Sequence, residues 1–360
     1  MNILYVSVKQ RAAYDRFIQS MPQGSFRQGY AWGEVMSYDH DIIRLAVERD
    51  EAIIAAISLQ RKKLPFTPFT LLYAPRGPII DNDDQDAFSL LLSEVAQVAR
   101  KGNSIFLRID PDFLDDDHVL RQRLCDSGFR YLKGKDWSYF NYPRVLMRLD
   151  TTASEELLRQ NLRKKHRQHI NSLAGKGVDI YEVDNGAGLK EFYGLMTELS
   201  VRKGFPVRSY EYYRKLESEF GEDIKILVAR HEGQLLAGVM SLMYGDKCWY
   251  MHGATSDRKG SLHPAEGLHW EMIRWAKSRG AVFYDFGGTG TEYPPKEDNP
   301  NYSLYHFKKG FGAEIQYLSG YYDLVFNRPL YEVFRFVEQR GLSVGMKLLP
   351  VLHSNYSHHE

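Results

Sequence analysis

The stretch LAVERDEAIIAAISLQ, Leu45 to Gln60, decides how this chain is read, because it returns later as ILVARHEGQLLAGVMSLM, Ile226 to Met243. Each is an aliphatic, partly β-branched run interrupted by a short charged turn, the signature of a strand, a turn and a second strand. Each carries a pair of small residues in its second run, Ala55-Ala56 in one and Ala237-Gly238 in the other. Working outward, both stretches continue in the same order: a further strand, a loop, an amphipathic helix, and another strand after a basic-Gly step. The spacing predicts the helix at about Gln85 to Arg100 in the first copy, followed by KGNSIFLRIDP, and at about Ala265 to Ser278 in the second, followed by RGAVFYDFGG. A single period of about 180 residues with the element order kept means duplicated domains rather than a solenoid.

Length and composition agree with two domains. A chain of 360 residues exceeds one ordinary domain, and each half is long enough to bury a core. With 43% hydrophobic and 26% charged residues the chain is globular rather than disordered. Lys plus Arg is 47 and Asp plus Glu is 46, so no global field gathers nucleic acid; a polyanion must meet a local patch. Cys125 and Cys248 form no C-x-x-C and no metal-ligand spacing, which suits a reducing compartment and small buried hydrophobes rather than nucleophiles. MNILYVSVKQRAAYDRF lacks the apolar core of a signal peptide, and no apolar run approaches a membrane span, so the expected location is the cytoplasm.

Helices, an antiparallel meander, a helix and another strand suit an α/β (α+β) acyltransferase fold of the N-acetyltransferase (GNAT) type, repeated in tandem. The usual donor of that fold, coenzyme A, needs consecutive backbone N–H groups at a helix N-terminus to hold its pyrophosphate. The corresponding loops here are APRGPIIDNDD, which carries acids and proline, and ATSDRKGSLHPAEG, a near miss. A coenzyme A donor is disfavoured, and no cofactor is expected.

Several motifs then stand in one order: WGEV (Trp32 to Val35), YAPRGPI (Tyr73 to Ile79), FLRIDP (Phe106 to Pro111), LRQNLRKKHRQHINSLAGKGV (Leu158 to Val178), RSYEYY (Arg208 to Tyr213), WYMHGA (Trp249 to Ala254), YDFGG (Tyr284 to Gly288) and LYHFKKGFG (Leu304 to Gly312). In these motifs the chain resembles the FemABX family of non-ribosomal peptidyltransferases, which use aminoacyl-tRNA to extend the side chain of the peptidoglycan stem peptide. It is most similar to the short FemX type, since the coiled-coil arm of the FemA type has no room between Tyr213 and the strand beginning near Ile224. The resemblance implies a first domain of residues 1–149 plus about 322–360, which binds the acceptor, and a second of 150–321 on the aminoacyl-tRNA side. It implies a monomer that meets aminoacyl-tRNA and a peptidoglycan precursor, the precursor being a lipid-linked or a nucleotide-linked muropeptide.

The chemistry so implied is aminolysis of an ester: an amine must be held against an activated carbonyl, lose a proton, and form an oxyanion that needs stabilising. By the resemblance Lys308, following Phe307, lies near the tRNA end and supplies a fixed cation to that charge; the alternative is a lysine pair, Lys308 and Lys309, decorating a solvated strand start. Asp110, at the end of FLRIDP, either meets the attacking ammonium, as base or as binder, or caps an Asp-Pro turn. Arg208 and Tyr212 match the family's contacts to acceptor phosphate or sugar, where a planar guanidinium suits a diphosphate; Trp32 and Tyr250 belong to the same set. Two departures stand out. The phosphate-binding lysine of the short type, four residues after the tryptophan, is Met36 here, with Arg76 or Arg27 as the replacement charge, and the tyrosine expected two residues after Tyr250 is His252.

EELLRQNLRKKHRQHINSLAGKG reads as one amphipathic helix. Leu158, Leu162, Ile170 and Leu173 face a core, and Arg159, Arg163 and Arg167 form the densest basic stripe, a candidate for tRNA phosphates or simply a solvated face. RKKLPFTPFTLLY (Arg61 to Tyr73), basic and then aromatic, reads as a hairpin, and would also suit peripheral contact with the inner membrane face that presents a lipid-linked acceptor. DFG at Asp285 to Gly287 has no kinase companions and reads as a strand exit turning on glycines. Twelve histidines, His166 and His169 among them, include no H-E-x-x-H and no carboxylate at ligand spacing, which argues against a metal. Two other functions stay open on sequence: a coenzyme A-dependent N-acyltransferase of the GNAT fold, and a non-catalytic protein that binds cell-wall precursors.

Overall fold

The computed structural model describes residues 1–81, 84–132, 142–183, 186–288 and 294–339. The chain forms two compact units, Met1–Arg144 joined by the segment that begins at Tyr317, and Val145–Gln316. The second unit thus begins five residues before the Asp150 read from sequence, since the strand Val145–Asp150 belongs to it.

In the first unit β1 (Asn2–Tyr5), α1 (Arg11–Ser20) and α2 (Tyr30–Met36) precede the meander β2 (Asp41–Arg49), β3 (Ala52–Lys63) and β4 (Thr70–Ala74). The short β5 (Ile79–Ile80), α3 (Gln85–Lys101), β6 (Ser104–Ile109), α4 (His118–Asp126) and β7 (Phe129–Leu132) complete the run. The second unit opens with β8 (Val145–Asp150), α5 (Glu155–Asn161) and α6 (Lys164–Ser172), then β9 (Val178–Glu182), α7 (Ala187–Lys203) and α8 (Tyr210–Phe220). The meander β10 (Ile224–His231), β11 (Gln234–Tyr244) and β12 (Lys247–Thr255) leads to α9 (Pro264–Ser278), β13 (Phe283–Gly288), α10 (Tyr302–Lys309) and β14 (Glu314–Tyr317). The chain then gives β15 (Tyr321–Val325) and α11 (Arg328–Gln339) to the first unit; of the segment YEVFRFVEQRG, Tyr331 to Gly341, which reads as a helix in the sequence, Arg340 and Gly341 lie outside the described residues.

The duplication is visible strand by strand. One sheet runs β1-β2-β3-β4-β6-β15-β7 with β5 against β3, and the other β9-β10-β11-β12-β13-β8-β14. Both opening hairpins turn on two residues in the left-handed region, Asp50-Glu51 and Glu232-Gly233, as a two-residue hairpin demands. Both carry a register shift just before that turn, at Val47/Glu48 and Ala229/Arg230. The helix after each meander is driven by burial. In α3 the Asp84 carboxylate caps the Ala87 N–H, Ala87, Phe88, Leu91, Val95, Val98 and Ala99 line the inner face, and Arg100 and Lys101 close the last turn against the helix dipole. Each of the larger side chains contributes roughly 2 kcal/mol by leaving water.

Chain order does not explain the seventh strands. β8 follows β7 but lies in the second sheet between β13 and β14, and β15 follows β14 but lies in the first sheet between β6 and β7. The two units exchange these strands, and each exchanged strand brings one half of an ion pair. In the first sheet Arg108 on β6 faces Asp323 on β15, with both guanidinium–carboxylate contacts at 2.7 Å. In the second, Asp285 on β13 faces Arg148 on β8, whose Nε donates at 3.0 Å. Without the exchange Arg148 would stand against Arg108 and Asp323 against Asp285. Like charges placed directly opposite destabilise a strand pair, so the charges select the exchanged arrangement. Arg108, fully buried, also donates to both carboxylate oxygens of Glu338 at 2.6 and 3.1 Å, which fastens α11 to the first sheet.

Candidate active site

The second sheet opens where its parallel strands part. β12 and β13 pair only over Lys247–Trp249 against Phe283–Asp285; beyond that β12 continues on β11 and β13 continues on β8. In that continuation β13 bulges between Asp285 and Gly288, with Gly287 at φ +71, a conformation that glycine takes without steric cost. Asp285 holds the bulge: one carboxylate oxygen accepts the Gly287 N–H at 2.7 Å and the other accepts from Arg148. The bulge then turns two carbonyls onto Lys308, whose Nζ donates to Gly287 O at 3.1 Å and Gly288 O at 2.7 Å.

Lys308 therefore sits in the last turn of α10 rather than at a strand start, and only 3% of it is exposed, so it is no solvated neighbour of Lys309. Burial pushes its ammonium down to about 8, against the opposing pull of Asp285. Phe307 packs its ring among His166, His269 and Phe311, and its carbonyl meets His166 Nε2 at 3.0 Å. His269, absent from the sequence reading, is the buried hub here. Its Nδ1 lies 3.2 Å from the Tyr284 hydroxyl and its ring lies edge-on to Tyr250 at 4.8 Å. Burial first, and then the charge of Lys308, lower it to about 3, so it is a neutral imidazole at physiological pH. No motif flags it, because it falls inside an apolar helix pattern; Asp285 was in view within YDFGG but read as a strand exit.

Further along β12, a register shift between Met240 and Ser241 sets Tyr250 and His252 around an extra residue. Burial raises the Tyr250 hydroxyl to about 12 and lowers His252 to about 3, the latter helped by Arg208. His252 Nε2 is 3.3 Å from the Tyr212 hydroxyl, and Arg208 lies over the Tyr212 ring at 5.3 Å. Arg208, Tyr212 and His252 thus form one cluster, and Tyr250, two residues before His252 on β12, belongs to a second with His269, Phe307 and Lys308.

Trp32, Arg76 and Asp110 belong to the first unit. Trp32 is buried in α2, edge-on to Phe26 at 5.1 Å. Asp110 directly follows β6 and is 2% exposed. Its Oδ1 accepts the backbone N–H of Arg76 at 2.9 Å and its Oδ2 lies 3.4 Å from the Arg76 guanidinium. Burial raises this carboxyl above its usual range, and Arg76 opposes the rise. Arg76, at φ +58, also donates to Pro143 O at 2.8 Å, so its guanidinium is matched by partners within the unit. Arg27 lies over the Phe26 and Tyr142 rings at 4.4 and 4.6 Å.

The basic helix is two helices. α5 and α6 are broken at Leu162 and Arg163, both at ψ 137, because Leu162 turns into the core while the Arg163 N–H is taken by Gly310 O at 2.8 Å. Arg167 folds back onto the freed carbonyls of Gln160 and Leu162, and Arg159 donates to Asn171 at 2.6 Å. Arg163 is exposed at the break, its backbone N–H tied to the loop that follows Lys308.

The FemAB family model matches residues 10–232 and 230–339. Over 406 residues, 93% of this chain and 96% of the relative, the chain is 26% identical to a Lipid II:glycine glycyltransferase of Staphylococcus saprophyticus. Among solved structures, that of FemX superposes with a TM-score of 0.84 at 23% identity, covering 92% of this chain and 99% of that one. A tandem GNAT protein from the clavulanic acid biosynthesis pathway superposes with a TM-score of 0.52 at 10% identity, covering 89% and 97%. The fold is accordingly a tandem GNAT-like one without a coiled-coil arm.

Proposed function

The chain belongs to the FemAB family and is a transferase, and we propose that it moves an amino acid from aminoacyl-tRNA to the side-chain amine of the stem peptide of a peptidoglycan precursor, building the interpeptide bridge. The observation that carries the reading is Lys308: a buried ammonium held by the Gly287 and Gly288 carbonyls, beside the point where β12 and β13 part. A fold needing only packing there has no use for a charge that costs desolvation. In the proposed step the neutral acceptor amine attacks the ester carbonyl and the C–N bond forms. The carbonyl oxygen takes negative charge beside the Lys308 ammonium, and collapse expels the ribose oxygen, which leaves with a proton as the amide is completed. Arg208, Tyr212 and His252 offer a guanidinium, a phenol and a neutral imidazole to an acceptor's phosphate or sugar.

Two further observations refine the acceptor and donor. The tip of the β3–β4 hairpin carries Phe66, 98% exposed, and the strand leading to it ends at the exposed Lys63, an arrangement suited to an anionic membrane surface that displays a lipid-linked acceptor. No helix among the described residues is long and apolar enough to cross a membrane. For the donor, the exposed Arg163 at the helix break offers a phosphate contact near the reacting end.

The test is transfer of radiolabelled amino acid from a total charged tRNA pool to purified lipid-linked and nucleotide-linked muropeptides, with acetyl coenzyme A offered in parallel. Transfer from tRNA to one precursor is expected. Labelling of neither, with acetyl transfer from coenzyme A instead, would replace the reading with the acyltransferase alternative; precursor binding without any transfer would leave a binding protein.

A further inference from the structure

We infer that His169, His263 and Glu266 form a binding site for a zinc-type transition-metal ion that braces α6 to the start of α9. The sequence shows no carboxylate at ligand spacing to His169, and the fold supplies one from 97 positions away. His169 Nδ1 lies 2.9 Å from Glu266 Oε1, and His263 Nδ1 lies 3.6 Å from the same oxygen. One ligand atom from each of the three residues falls within 4.8 Å of the others. With bonds near 2.0 to 2.1 Å, neighbouring ligands of a tetrahedral zinc stand about 3.3 Å apart, so the two measured separations bracket the requirement within a few tenths of an ångström.

The backbone is arranged to deliver these groups. His263 occupies the N-cap of α9, where an oxygen-bearing side chain ordinarily accepts an N–H, yet it caps nothing and stands at φ +57. A β-substituted residue held there costs of order 1 kcal/mol or more, and what it gains is an imidazole set against His169, the rings stacked at 3.8 Å with 6° between planes. A metal must lie near the plane of each ring it binds, so one ring has to tilt as the ion enters. His263, with 39% of its side chain exposed, has the room. Two imidazoles and one carboxylate are a transition-metal set, not a calcium or magnesium one, and leave the fourth position to water. Lys176 and Lys259 face the same cluster and weigh against any ion held by charge alone, which again favours one that bonds to nitrogen.

The decisive variant is His263→Gly, because glycine accepts the left-handed backbone and should fold at least as well while losing a ligand. Full-length chain carrying His358→Ala and His359→Ala, to silence the terminal histidines, is titrated with zinc and with cobalt. The expected result is one tightly held ion per chain, a rise in Tm on loading, and the intense visible bands of tetrahedral cobalt. In His263→Gly and in Glu266→Gln the zinc affinity should fall at least tenfold and the bands disappear, with the metal-free Tm kept. Equal zinc binding by parent and both variants, or none by the parent, overturns the inference.

Discussion

Lys308→Met keeps the length of the side chain and deletes the cation, and the structure sets what each observable should do. With a pKa of about 8, Lys308 is roughly ten parts protonated to one neutral at pH 7, so the working enzyme carries the charge. Losing a buried donor to an oxyanion typically costs about 3 to 4 kcal/mol in the barrier, a fall of 10²- to 10³-fold in kcat. Stability behaves differently. Lowering the ammonium from 10.5 to about 8 means that the folded state pays about 3 kcal/mol at neutral pH to keep it charged. Methionine removes that penalty and leaves the Gly287 and Gly288 carbonyls without their donor, at about 1 to 3 kcal/mol each. These terms largely cancel, so Tm should move by only a few degrees.

The pH dependence follows from the same value. Deprotonation of the acceptor amine makes the rate climb with pH, and loss of the Lys308 proton makes it fall through about pH 8, giving a bell. For stability the sign is opposite: between about pH 8 and 10.5 the unfolded chain holds this proton more firmly than the folded one, so parent stability should rise with pH across that window. The assay is label transfer from charged tRNA to lipid-linked precursor across pH 6 to 10, with thermal melts on the same samples. In Lys308→Met the residual rate should keep rising where the parent turns down. A variant that retains a third or more of the parent rate, or that loses activity only by unfolding, refutes the assignment.

Asp110→Asn separates brace from base: with the Arg76 pair broken, Tm should drop by an amount equivalent to about 3 kcal/mol while kcat of the folded fraction stays within tenfold, and a thousandfold loss at unchanged Tm would make Asp110 the base instead. Phe66→Ser should weaken co-sedimentation with anionic vesicles and slow transfer to vesicle-borne precursor, leaving transfer to detergent-dispersed precursor untouched; equal losses in both would count against a membrane role. Arg148→Asp and Asp323→Arg should each cost several kcal/mol by setting like charges in a buried strand pair. Together they should cost less than the sum, since each strand would then match the sheet nearest it in the chain, and simple additivity of the Tm losses would defeat the idea that charge selects the exchange.

Much of this architecture is legible in the chain because it rests on local signals. The two hairpins, the helix beginning near Gln85 and the one ending at Ser278 follow from periodicity and turn chemistry; the structure places the helices within a residue and extends the hairpins by one to four residues at their ends. The basic segment after Glu155 misled for a physical reason. Its apolar spacing is continuous, but the Arg163 N–H finds Gly310 O, a tertiary bond no local pattern contains. The strand exchange is hidden likewise, because Arg148 and Asp323 look like ordinary strand charges until their partners are known. His269 escaped because an imidazole inside an apolar helix reads as core, and it is core; only its neighbours give it chemistry.

The duplication itself supplies an internal control for Lys308. In each unit a short helix, α4 in the first and α10 in the second, is followed within three residues by a glycine at positive φ, Gly128 at φ +91 and Gly312 at φ +88. Four residues before the first glycine stands Leu124, 8% exposed and part of the first core; four before the second stands Lys308, 3% exposed. Counted back from its glycine, the position holds a buried leucine in one copy and a buried ammonium in the other. The strand after the longer helix differs as well: the residue two after Arg108 is Asp110, committed to Arg76, whereas the residue two after Asp285 is Gly287, whose carbonyl is turned onto the lysine. Packing alone is satisfied by leucine, so the charge, the bulge that receives it and the carboxylate that fixes the bulge answer a demand other than folding. They occur together in the unit whose parallel strands separate after three residue pairs, where a carbonyl can enter.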